Sequence, residues 1–100
     1  MKSREEKVLC RTPTPGKQPT RIDAGKFALV RKAILAVLPR RSPGVRFRDL
    51  PARVARKIPA AQRLALGSIP WYVTSVKLEL EVRGEIRRVS GVSPQVLVRT

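Results

Sequence analysis

The 100 residues carry 22 Lys and Arg against 7 Asp and Glu, a formal net charge of +15, and no His. A chain of this size makes one domain and buries roughly 60–70% of its unfolded surface; its 42% hydrophobic content excludes a disordered basic tail. The charge attracts polyanions such as DNA, RNA, an acidic protein or an anionic membrane surface, and the plain alternative is that Arg only keeps the chain soluble.

Residues 1–21 are polar, and Pro13, Pro15, Gly16 and Pro19 forbid regular structure at their centre. This segment is expected to be an extended, partly ordered arm, with residues 22–100 forming the domain. "KVLC" is apolar enough for the arm to lie along the domain as a strap. The start "MKSREEK" has no apolar signal region, and no apolar run approaches the ~20 residues needed to span a bilayer. The expectation is a cytoplasmic protein without membrane contact. Cys10 has no partner for a disulfide or a metal cluster and reads as an inert thiol.

"IDAGKFALVRKAILAVLP" predicts the first helix. Asp23 is its N-cap, Phe27, Val30, Ile34 and Leu38 share one face, and Pro39 stops it. Lys26, Arg31 and Lys32 fall off that face. "RRSPG" is a basic turn, and "VRF" alternates as a short strand does. In "RDLPARVARKIP", Leu50, Val54 and Ile58 recur at helical spacing. Pro51 fits only a first turn, so the second helix starts near Arg48 or Asp49. "AAQRLALGSIP" is expected to hold a helical turn and then a loop.

"WYVTSVKLELEVRGEIRRVSG" predicts a third helix, with Tyr72, Val73, Val76 and Leu80 inward and Gly84 at its C-terminal stop. "EIRRVS" and "QVLVR" follow as two strands joined by "GVSP". The expected fold is α+β: a three-helix head, a short strand before the second helix and a C-terminal two-stranded β-hairpin, the plan of a winged helix-turn-helix.

"LELEVRGEIRRV" resembles the end of a winged-helix recognition helix opening into its wing. More widely, "TPTPGKQPTRIDAGKF", "AILAVLP", "SPGVRF" and "WYVTSVKLELEVRGEI" are similar to a family of small, mostly bacterial, uncharacterised winged-helix proteins, and the resemblance runs from Val8 onward. It implies the fold and carries no activity. The chain departs from that pattern before Trp71, where "LALGSIP" replaces a Phe-Pro-Gly-Gly type of turn.

Without His, the commonest general base and metal ligand is missing, and Cys10 lacks the base that would activate it. Glu79 and Glu81, two apart on a helix, point away from each other. No phosphate-cradling loop occurs. The expectation is a binding protein, with no enzyme activity, no cofactor, no metal and no small-molecule ligand.

In a winged helix, phosphates are held by helix ends and wing while a few recognition-helix side chains meet base edges. The expected phosphate contacts are Arg46, Arg48, Arg53, Arg87 and Arg88, together with Arg40, Arg41, Arg56 and Lys57. Thr74, Ser75 and Lys77 are expected to face solvent and read bases, with Glu79 also off the core face. Trp71, Leu78 and Val82 form a second apolar face, to be covered by the arm, by the turn around Leu64 and Leu66, or by a partner such as a second copy. The expected partner is nucleic acid, duplex DNA first, with a role in transcription regulation; the alternative is a protein-interaction or dimerisation module that binds no nucleic acid.

Overall fold

The computed structural model describes residues 6–41 and 43–100. The first five residues of the expected arm, and Ser42 in the basic turn, lie outside the described residues. The observed elements are β1 (Lys7–Cys10), β2 (Thr20–Asp23), α1 (Ala24–Val37), β3 (Val45–Arg46), α2 (Leu50–Arg56), α3 (Ala60–Leu66), α4 (Ile69–Arg83), β4 (Ile86–Arg88) and β5 (Val96–Arg99), with a 3-10 turn at Phe47–Asp49. The fold is α+β, with four α-helices and two small antiparallel sheets among the described residues.

The expected helix count of three is corrected to four. "AAQRLAL" forms a complete helix rather than a turn, because Pro59 fits the residue before a helix start and Gly67, at φ +95°, ends it. The third predicted helix, in "WYVTSVKLELEVRGEIRRVSG", is therefore α4. Its N-cap is Ser68, whose hydroxyl accepts from the Trp71 amide, and Gly84 closes it in the left-handed conformation at φ +77°. Asp23 caps α1 by accepting from the Lys26 amide at 3.0 Å. Pro51 sits in the first turn of α2, where no helical partner is lost.

The segment read as an arm is a paired strand. β1 runs antiparallel to β2 with Val8 opposite Ile22 and Cys10 opposite Thr20, so the hairpin crosses the expected boundary at residue 21. The second sheet has the order β3-β5-β4. Gly44 lets β3 approach β5: at φ +78°, an added Cβ would lie 2.6 Å from the Leu97 carbonyl oxygen.

The core gathers the inward faces of all these elements. Val30, Ile34, Leu50, Val54, Val73, Val76, Leu80 and Leu97 are fully buried, each worth about 1.5–3 kcal/mol of transfer free energy. α4 is the central helix, touching α1, α2, β1 and β4. No helix among the described residues is long and apolar enough to cross a membrane.

Candidate nucleic-acid interface

Packing on several sides changes the reading of α4. Lys77, expected in solvent as a base reader, is buried at 2% exposure, and Glu79, expected off the core face, is buried at 1%. The reason is that α4 is flanked as well as backed. On one flank the Lys77 ammonium lies 4.7 Å from the Phe47 ring centroid and 2.6 Å from the Glu81 carboxylate. Arg88 from β4 closes on the same carboxylate at 2.7 Å. Burial pushes the Lys77 ammonium pKa below its ordinary value, against the pull of Glu81. Lys77 is thus withdrawn from any reading set, and Arg88 is engaged with Glu81.

On the other flank Glu79 joins α4 to the N-terminal hairpin. One of its oxygens accepts from the Arg11 backbone amide at 2.8 Å and from Arg11 Nε at 3.0 Å; the other accepts from Arg11 Nη2 at 2.7 Å and from Arg83 Nε at 2.8 Å. Burial alone would raise this carboxyl, but the two arginines outweigh it and hold the pKa down at about 2. Arg83 also lies 4.8 Å from the Phe27 ring centroid. Cys10 sits beside this cluster, and burial, then the Glu79 charge, push its thiol up to about 11. A thiol so raised is a poor nucleophile at neutral pH.

Apart from Arg83 in its last turn, what α4 turns outward carries no exposed charge. Thr74 is exposed, Ser75, Leu78 and Val82 are half-buried, and Trp71 keeps 47% of its surface. These five residues fall within about a third of the helix circumference at 100° per residue. The second apolar face expected around Trp71 therefore exists and is only partly covered. β1 reaches α4, but Leu9 on β1 and Leu64 on α3 themselves stay exposed.

The basic residues separate into two places. In the sheet, Arg46 lies opposite Val96 and Arg87 opposite Val98, so period-two alternation puts Arg46 and Arg87 on the same, outer face. Arg88, opposite Leu97, belongs to the inner face, which explains its reach to Glu81. The second place is the outer side of α2. Arg48, Arg53 and Arg56 line one shallow depression, Arg53, Arg56 and Lys57 line the next, and Lys57 with Lys32 lines a third. The shared residues make these one track from the 3-10 turn across α2 to α1. Asp49 is the single carboxylate lining it.

Arg48, Arg53, Arg56 and Lys57 of this track are among the cations expected to meet phosphates, whereas the sequence places Lys32 only off the apolar face of α1. Nothing local could have joined Lys32 to Lys57, which are brought together only by the packing of α1 on α2. Conversely, Thr74 and Ser75 lie on α4 and are separate from the residues lining the track.

A family model described as a family of unknown function (DUF6958) matches residues 7–97. No curated protein and no solved structure matches the chain.

Proposed function

The chain belongs to the DUF6958 family, of unknown function, and we propose that it is a nucleic-acid-binding protein of winged-helix type, a binder and not an enzyme, that grips duplex DNA through phosphates. The element order supports the type: α1, β3, α2, α4 and the β4–β5 pair follow the winged-helix plan, with α3 standing in the connection before the recognition helix. The observation that carries the function is the track of Arg48, Arg53, Arg56, Lys57 and Lys32, five cations with Asp49 as the one acid among its lining residues. Positive side chains in a connected row suit the regular spacing of backbone phosphates and carry no sequence information by themselves. Arg46 and Arg87 supply a second contact from the outer face of the sheet.

α4 contributes little to base reading on this proposal. Lys77 is buried, and its exposed side offers Thr74 and Ser75 among apolar neighbours. Discrimination among duplex sequences is accordingly weak, and a role in regulating transcription rests on fold analogy. Replacing both Arg53 and Arg56 with Ala tests the track. Each lost phosphate contact should reduce the steepness of the log–log salt dependence by about 0.9, so the pair should remove nearly two. An unchanged slope would move the interface elsewhere.

A second reading is favoured by one observation, the partly bare Trp71–Leu78–Val82 face. On that reading the chain is a protein-interaction or dimerisation module. Sedimentation separates the two: a dimer that Trp71→Ala dissociates, together with an absence of DNA binding, would favour it.

A further inference from the structure

The basic track does not stop at Lys32. The depression lined by Lys57, Lys32 and Ala36 continues into one lined by Gly25, Lys26 and Leu66, and the two share Leu29 and Gln62. Leu29, Lys32, Ala33 and Ala36 follow one side of α1 at helical spacing, and from Lys26 to Ala36 the groove extends about 15 Å at 1.5 Å per residue. Its floor is apolar (Leu29, Ala33, Ala36), Pro59 and Ala65 form the opposite wall, and Gln62 supplies one amide midway. Asp23 also lines its far end, but its carboxylate accepts from the Lys26 amide as the helix cap.

Beyond Lys26 the path reaches aromatic rings. The Lys26 ammonium lies 5.7 Å from the Tyr72 ring centroid, and the Tyr72 ring meets Trp71 edge-to-face at 4.9 Å. Trp71 remains 47% exposed. A row of cations, an apolar floor and a half-exposed indole at its end offer places for both phosphates and a base face.

A duplex cannot use the second half of that surface, because its base faces are hidden in the stack. An unpaired strand can, since sequence-tolerant binding of single strands combines a positive groove with stacking on aromatic side chains. Resting on the nucleic-acid reading above, we propose that the groove along α1 takes a single-stranded DNA segment, whose phosphates meet Lys57, Lys32 and Lys26 and one of whose bases stacks on Trp71. The preferred ligand is then a duplex with a single-stranded extension, the duplex held by Arg48, Arg53 and Arg56 on α2 and the extension taking over Lys57 and Lys32 as it enters the α1 groove.

Trp71 is the chain's one Trp, so its emission reports directly on stacking. The experiment titrates the full chain with a random duplex, the same duplex carrying an oligothymidine extension, and free oligothymidine, following anisotropy and Trp emission. Tighter binding of the extended duplex and saturable quenching by oligothymidine are expected. Trp71→Ala should cut the advantage of the extension about tenfold, the loss of one stacked base, and leave duplex affinity unchanged. Lys32→Ala, at an exposed position that leaves the core intact, should weaken oligothymidine binding without the loss of stability that would signal misfolding. Salt-dependent duplex binding with no gain from the extension and unaltered Trp emission would overturn this proposal and leave the duplex reading standing. Absence of binding to all three ligands would overturn both.

Discussion

Glu79 and Lys77 carry opposite charges into the interior of the same helix, and each is held by partners on a different flank. The Glu79 carboxylate takes four hydrogen bonds from Arg11 and Arg83. Its low pKa means that the folded state binds a proton less readily than the unfolded chain. The stabilisation is therefore fully present above the unfolded Glu pKa of about 4.3 and is lost as pH falls toward about 2. Glu79→Gln should lower stability by about 2 kcal/mol at neutral pH, the worth of hydrogen bonds to a charged group. Urea denaturation at a series of pH values should show the gap between wild type and variant closing between those two limits. A gap independent of pH would mean that the loss comes from packing and not from the charge. Lys77→Ala should cost about 3 kcal/mol, since it removes one side of a buried ion pair and its contact with Phe47. It should leave any preference among DNA sequences where it was. A changed preference in a binding selection would return Lys77 to the reading surface.

At the scale of elements, the N-terminal hairpin is the least expected part of the molecule. Proline content in residues 11–19 correctly marks a stretch without regular structure, yet the four residues before it pair with the four after it. The long-range partner Glu79 was hidden because an acid in a helix is by default a solvated residue. Arg11, 68 positions away, supplies three of the four hydrogen bonds that offset the burial of Glu79, beside the local one from Arg83. Arg11→Ala should loosen the hairpin from α4 and speed amide hydrogen exchange in β1 and β2 more than in α2. Uniform exchange changes across the chain would instead mean that the hairpin is an integral part of the core. The apolar periodicities of α1, α2 and α4 are legible, because Phe27, Val30 and Ile34, then Leu50 and Val54, then Val73, Val76 and Leu80 each follow one buried stripe of their own helix. The flanks of α4 are not, since periodicity reports the one face turned to the core and says nothing of neighbours that close in from the sides. α3 is half legible: Gly67 marks its end, while Pro70 belongs to the first turn of α4, and seven residues are too few for a periodic signal.

For the whole molecule, the strongly basic character is legible in the sequence, and so is the excess of acids over bases between Trp71 and Glu85. Where the cations converge is not. The track depends on α2 crossing α1, and the groove beyond it depends on α3 lying over the N-terminal half of α1, contacts that no local pattern encodes. The acids of α4 turn out to be internal counter-charges to Lys77, Arg88, Arg11 and Arg83 rather than a repulsive surface. The central claim is that the positive track binds phosphates, and its most direct test is the affinity of the wild-type chain for a random duplex measured over a range of salt concentrations. Five phosphate contacts on the track and two more from Arg46 and Arg87 should give a log–log slope of about −6. A flat dependence, or no binding at low salt, would contradict the claim and reduce the charge to surface chemistry.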